Sequence, residues 1–207
     1  MAGNAITTPP VRVSYTNAVF TPRAITPGAD PKYSIVLLFD KSNKEQMACL
    51  KALHAAAQAA HDEKWPDKTK APRIPIIGHD KSCIKDADKN ADGQGVPLAE
   101  KNPEYAGHYI IRAGSKSRPV VVDQNRQELL DKEAVYGGCW CKVNINPYAY
   151  SGTENKGVTF GLNGVQFWKD GERFGSGRPR VEDMFEAAGS DDPANYEGFN
   201  PNDDVLS

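Results

Sequence analysis

Cys139-Trp140-Cys141-Lys142-Val143-Asn144-Ile145-Asn146 is the stretch on which the fold turns. Side chains of a β-strand alternate between two faces, so Cys139, Cys141, Val143 and Ile145 share one side and Trp140, Lys142, Asn144 and Asn146 the other. The first set is apolar and belongs in a core. The second joins an aromatic ring, a cation and two amides, and it belongs at a surface. The stretch is a strand buried on one side, and Tyr148 and Tyr150 extend its outer face if Pro147 leaves the register intact. Gly157 to Lys169 carries a matching strand pattern, with Ser151-Gly152-Thr153-Glu154-Asn155 as the turn between them.

Further strands lie to either side of this pair. His108 to Ala113 and Pro119 to Asp123 are apolar runs bounded by turn residues, and Tyr33 to Phe39 is a richer, more buried one. Val11 to Phe20 alternates apolar and polar, which predicts a half-buried strand. Between them, Lys44 to Lys64 is Ala-rich, with Met47, Leu50, Leu53 and Ala57 near helical spacing. Ser42 or Asn43 can cap this helix, and Pro66 ends it. Residues 67–107 are polar and read as a long loop or a small excursion. Residues 1–10 are small and Pro-rich and are expected to be disordered. Several short strands and one major helix fit a small barrel, closed or partly open. The folded body is expected over 11–175, followed by a linker and tail over 176–207.

The charge is unevenly placed. The 207 residues carry 25 Lys plus Arg and 27 Asp plus Glu, a formal −2. Beyond Arg180 there is no base, while Glu182, Asp183, Glu186, Asp191, Asp192, Glu197, Asp203 and Asp204 supply eight acids. The body therefore sets 25 bases against 19 acids, a formal +6. A basic body with an acidic tail suits contact with a polyanion and control of that contact. No apolar run is long enough to cross a membrane, and Met1 to Ala5 lacks the basic and apolar parts of a secretory signal. The cysteines at 49, 83, 139 and 141 fit neither a disulfide framework nor the usual zinc spacing, so reduced thiols in a cytoplasm are expected. No cofactor motif stands out.

The outer face of 140–150 supplies the chemistry. A nucleic-acid strand requires a ring to stack a base and a charge for the neighbouring phosphate, and Trp140, Lys142, Asn144, Tyr148 and Tyr150 offer both. Arg112, Lys116 and Arg118 cluster around a nearby strand end and can contact phosphates. Trp140 packed as ordinary core is the competing reading. Two other motifs point elsewhere. Asp88 to Gly93 matches half of an EF-hand loop, but its twelfth position is Ala99 rather than Glu. Asp123 with Glu154 and Lys156 has the residue types of a metal-dependent nuclease, although Glu154 falls in a turn.

Tyr136-Gly137-Gly138-Cys139-Trp140, Asn146-Pro147-Tyr148-Ala149-Tyr150 and Lys156 to Gln166 follow at short spacing, after Pro31-Lys32-Tyr33-Ser34 running into Leu37-Leu38-Phe39-Asp40-Lys41. Together they resemble a family of bacteriophage single-stranded DNA-binding proteins, over most of residues 11–175. The resemblance implies an OB-like five-stranded barrel and non-catalytic binding of single strands by exposed aromatic and basic residues. It also implies a role in phage replication and recombination in the cytoplasm of an infected cell. An acidic C-terminal tail would recruit replication proteins. Tails of related phage proteins end in an aromatic residue. This chain ends Asp203-Asp204-Val205-Leu206-Ser207, so Tyr196 or Phe199, with Asp203 and Asp204, is expected to make the partner contact. Oligomeric state stays open, a homo-oligomer included.

Overall fold

The computed structural model describes residues 5–24, 28–69, 71–73, 75–152 and 155–175. The chain divides into units 1–175 and 176–207, and the fold is that of the first. Its strands in chain order are β1 (Ile6–Thr7), β2 (Val11–Ser14), β3 (Tyr33–Asp40), β4 (Ile84–Asp86), β5 (His108–Ser115), β6 (Val120–Val122), β7 (Trp140–Ser151) and β8 (Lys156–Lys169). Helices are α1 (Asn17–Phe20), α2 (Lys44–Lys64) and α3 (Leu98–Lys101), with a 3-10 turn at Pro103–Tyr105.

Five strands close on themselves. β2 pairs antiparallel with β3, β3 with β5, β5 runs parallel to β8, β8 pairs antiparallel with β7, and β7 returns to β2. This is the five-stranded barrel that the sequence resemblance implies. Inside it lie Val13, Ile35, Leu37, Phe39, Ile111, Ala113, Cys141, Val143, Ile145, Phe160 and Leu162, all buried. The alternation expected for 139–146 holds, and it runs on through Pro147, which pairs with Phe160 without a shift. The thiols of Cys139 and Cys141 share a hydrogen bond at 3.6 Å in this core and form no disulfide. The contact with Cys139, then burial, pushes the Cys141 thiol up.

Helix α2 covers one end of the barrel through Leu50, Leu53 and Ala57, all fully buried. Of the two candidate caps, Asn43 does the work. Its Oδ1 accepts the N–H groups of Glu45 and Gln46, both at 3.1 Å, a contact of about 1 kcal/mol. The helix keeps the expected bounds.

Two expectations give way, and of the two readings of 67–107 the small excursion holds. Residues 1–10 are not disordered as a whole. Ile6 and Thr7 pair with Ile145 and Asn144, and Thr8, 2% exposed, exchanges hydrogen bonds with Val143 at 3.0 Å through its carbonyl-facing N–H and its Oγ1. β7 has a free edge there, and unpaired ladder groups draw any extended segment within reach. The strand expected over 11–20 stops at Ser14. Tyr15 takes a positive φ of 52°, and the chain then turns into α1. The 67–107 excursion is structured. It contributes β4 to the edge of β5, and it lays Ala87, Leu98 and Tyr105 over Val36, Leu38 and Ile110 on the outside of the barrel. The ammonium of Lys41 pins it, reaching Asp86 at 2.5 Å and Asp88 at 2.6 Å. The EF-hand-like segment is closed by its own chain. Asp92 accepts the N–H groups of Gln94 and Val96 and pairs with Lys101.

Candidate nucleic-acid interface

The outer face of β7 carries Trp140, Lys142, Asn144, Asn146, Tyr148 and Tyr150 in one row, as the alternation predicts. Opposite this row β8 presents little bulk. Gly157 faces Tyr150 and Gly161 faces Asn146, while Gly164 faces Asn144. A Cβ at Gly161 would stand 2.9 Å from the Asn146 side chain, and one at Gly157 would touch the Tyr150 hydroxyl at 3.4 Å and its ring at 3.5 Å. Glycine leaves room for Asn146 to lie over Gly161 and for Tyr150 to lie over Gly157.

Tyr148 and Tyr150 are 43% and 40% exposed at the β7–β8 turn. Tyr148 faces Thr159 on β8. Arg112, exposed on β5, precedes by one residue the parallel pair Ala113–Phe160. It therefore lies about two strand spacings from Tyr148, roughly 10 Å. Lys116 is at the end of the same strand, with its ammonium 3.4 Å from Asp30 and both side chains about three-quarters exposed. An ion pair so exposed holds its partners weakly. Arg118 lies beyond it and faces Glu128 at 3.9 Å.

Trp140 is at the other end of β7, ten residues from Tyr150 and roughly 33 Å along an extended strand. It is half-buried. One edge lies beside the 170–174 segment, so that a Cβ on Gly171 would sit 3.2 Å from the indole, and the ammonium of Lys169 is 5.0 Å above its ring. The structure thus brings Tyr148, Tyr150 and Arg112 together at one end and places Trp140 and Lys142 at the other, while Lys116, four residues on from Arg112 along a strand parallel to β8, lies toward the middle of the ribbon. Asn144 lies between them and is committed to its neighbours. Its amide donates to Thr7 Oγ1 at 2.8 Å, and its carbonyl oxygen accepts from Asn163 at 2.9 Å.

Sequence reasoning missed Trp168. The ammonium of Lys142 lies 3.7 Å from the centre of its ring. The β7–β8 register shifts by one residue here, because Trp140 pairs with Lys169 while Cys141 pairs with Phe167. An extra residue of this kind is a β-bulge, and bulges re-aim side chains. It brings Trp168 and Lys169 round to the outer face together, which strict alternation forbids. Two indoles and two ammonium groups consequently share one patch.

The nuclease residues are not assembled. Asp123 follows β6, which pairs with β8 at Gly164 to Gln166, and its carboxylate caps a turn by accepting the N–H groups of Asn125 and Gln127. Lys156 begins β8, ten residues from Gln166 and roughly 33 Å away along the strand. Glu154 lies outside the described residues, as do Tyr196, Phe199, Asp203 and Asp204. Among the described residues, no group of three His, Cys, Asp or Glu side chains is placed to hold a metal ion. No helix there is long and apolar enough to cross a membrane.

A five-stranded ring with one parallel pair, a capping helix and an aromatic, cationic outer face defines an OB-type barrel built as a binding module. The chain belongs to the family of the Enterobacter phage Enc34 ssDNA-binding protein, whose family model matches residues 4–195. It is similar to the solved single-stranded DNA-binding protein from bacteriophage Enc34 in complex with ssDNA. The two are 29% identical, with a TM-score of 0.65 over 83% of this chain and 89% of that one. A putative protein p50 of Acyrthosiphon pisum secondary endosymbiont phage 1 is 30% identical over 171 residues, 80% of this chain and 85% of that protein. The single-stranded DNA-binding protein gp2.5 of bacteriophage T7 shares the fold. Its identity is 16%, with a TM-score of 0.53 over 82% of this chain and 93% of that one.

Proposed function

We propose that this protein binds single-stranded DNA without sequence preference and without catalysis, and serves phage replication and recombination in the cytoplasm of the infected cell. The observation that carries the reading is the pair of exposed tyrosines at the β7–β8 turn, Tyr148 and Tyr150, beside Arg112, on the barrel of a family whose Enc34 member is solved with ssDNA. OB barrels bind oligonucleotides on the outer face of the second and third strands and on the loops after the first and fourth. Here the fourth-strand loop carries the tyrosines and the third strand carries Arg112. The 87–107 excursion covers the rest of that face, which supports an approach from the tyrosine end.

Bases stack on Tyr148, Tyr150 and Trp140, while Arg112, Lys116, Arg118 and Lys142 meet phosphates. Stacking is worth about 1–3 kcal/mol per base, against about 0.5–1 kcal/mol for an exposed cation–π contact. A base therefore displaces an ammonium from a ring at a net gain, and the freed ammonium turns to the phosphate. A labelled single strand incubated with the protein, with and without Mg²⁺, tests the whole reading. A mobility shift without cleavage is expected. Mg²⁺-dependent cutting would establish the nuclease instead, and neither effect would leave a purely structural role.

The phosphate contacts have their own signature. Each phosphate neutralised on a single strand contributes about −0.7 to the slope of log K against log salt. Arg112→Ala should flatten the slope by about that amount for every base composition. An unchanged slope places the phosphate path elsewhere.

The acidic tail opposes the same surface by charge. Eight acids follow Arg180 in a chain whose preceding residues carry a formal +6, and tethering holds the two charges at high effective concentration. Truncation after Arg180 is expected to tighten single-strand binding, most at low salt, where the Debye length is about 30 Å at 0.01 M. It also removes Tyr196, Phe199, Asp203 and Asp204, through which replication proteins are recruited. Equal affinities of the full-length and truncated proteins across a salt series would reduce the tail to a solubility element.

A further inference from the structure

The two indole–ammonium pairs stand well apart from the tyrosine end, and nothing in the path described above uses Trp168 or Lys169. We propose that Trp168, together with Trp140, Lys142 and Lys169, forms a second stacking subsite for the same single strand. In the free protein the two ammonium groups cover the indole faces, and in the complex bases replace them. This inference rests on the single-strand reading and extends it from one end of β7 to both.

Three observations carry it. The bulge at Trp168 turns two consecutive side chains outward, and it does so where a second indole already stands. The cover on each ring is a cation, with Lys142 3.7 Å from Trp168 and Lys169 5.0 Å from Trp140. An ammonium is a replaceable cover, because a nucleotide brings a phosphate that takes the charge when the base takes the ring. The surface is also concave on the tyrosine side of the patch, from Lys142 to Asn144. A shallow cavity of about 160 Å³ lies on the ribbon between Thr7 and the side chains of Val120 and Val122, with Lys142 and Gly164 in its lining.

Gly164 keeps that surface low, since a Cβ there would stand 3.2 Å from the Val120 carbonyl. The far end is held firmly as well. Gln166 donates to the Asp123 carbonyl at 3.1 Å, and Gln124 donates to the Trp168 carbonyl. The bulge is thereby fixed in the free protein.

Intrinsic fluorescence tests the subsite, because the chain has only three tryptophans, Trp65, Trp140 and Trp168. An oligo-dT of about sixteen nucleotides, the upper size for one OB fold, is titrated into the full-length wild type and into Trp168→Ala, Trp168→Phe and Tyr148→Ala. Trp168→Ala is expected to bind about tenfold more weakly, as loss of one stacked base requires, and Trp168→Phe to bind as wild type with a smaller quench at saturation. Tyr148→Ala should weaken binding while leaving the saturating quench unchanged. If Trp168→Ala fails to give a thermal transition, the Trp168→Phe quench decides. An affinity unchanged in a folded Trp168→Ala, or a saturating quench unchanged in Trp168→Phe, overturns the subsite. A wild type that binds no oligo-dT overturns the single-strand reading itself.

Discussion

Gly138→Ala is expected to destabilise the protein by about 3 kcal/mol or more, among the large effects of single substitutions. Two independent costs meet at this residue. Its φ is +104°, a conformation that L-residues rarely adopt, and a Cβ there would lie 2.0 Å from the Glu172 carbonyl oxygen. The oxygen is backbone and cannot swing aside like a side-chain tip. Neither can Gly138 move, because its N–H donates to the Val13 carbonyl at 2.8 Å and its carbonyl accepts from Arg12 Nε at 2.9 Å.

The obstructing segment is equally tied. Tyr136 Oη donates to Asp170 at 2.7 Å and accepts the Gly171 N–H at 3.0 Å, while the Phe174 N–H donates to the Gly137 carbonyl at 2.9 Å. Gly171→Ala meets the same crossing from the other side, with its Cβ 2.2 Å from the Gly138 carbonyl oxygen. Gly137→Ala is the control, since its Cβ would make only an ordinary 3.9 Å contact with Phe174. At about 2–4 °C per kcal/mol for a fold of this size, the first two variants should melt at least roughly 6 °C below wild type. A Gly138→Ala protein that melts with wild type would mean that the crossing yields without cost. The crossing also explains why Trp140 is only half-buried, because the 170–174 segment covers one edge of the indole and leaves its face to Lys169.

The parts of this architecture that sequence made legible are those where one residue's environment repeats at a fixed period. Cys141, Val143, Ile145 and Pro147 point inward at every second position, so the face bearing Trp140 to Tyr150 follows from alternation alone. Leu50, Leu53 and Ala57 fix the helix in the same way, and Asn43 marks its start. The parts that could not be read depend on partners distant in the chain. Ile6 and Thr7 are too short a run to announce a strand, and only the free edge of β7 makes them one. The Tyr15 turn interrupts a pattern that alternates smoothly on paper. Trp168 was hidden for a sharper reason: the register also shifts between Asn144 and Ile145, so counting by twos from Gly157 assigns Trp168 to the inner face, and the second shift at Trp140/Cys141 then lets Lys169 share the outer face with it. The separation of the proposed binding residues into two groups was likewise not visible, since spacing along β7 fixes a distance only once the strand is known to be straight and continuous.

The double substitution Tyr148→Ala with Tyr150→Ala is expected to weaken single-strand binding about a hundredfold or more. Each platform removed costs about 1–3 kcal/mol of stacking, and each ~1.4 kcal/mol is a factor of ten. Both rings stand at the β7–β8 turn beside Arg112, so their loss strips the end at which a strand is proposed to enter. Tyr150 carries a second role that must be separated from the first. Its ring lies on Gly157, with the hydroxyl oxygen 3.4 Å from the Cβ position, and an aromatic over a cross-strand glycine stabilises the pair. Tyr150→Ala alone therefore mixes stacking with stability, whereas Tyr148 faces Thr159 rather than a glycine. Phenylalanine at both positions keeps the π faces and the glycine cover and removes only the hydroxyls, so this variant should bind as wild type. Titration of oligo-dT into the wild type, each single variant and both double variants, with thermal melting alongside, separates binding from folding. Alanine variants that fold and still bind within about twofold of wild type would remove the tyrosines from the interface and leave the Trp140–Trp168 end as the place where bases stack.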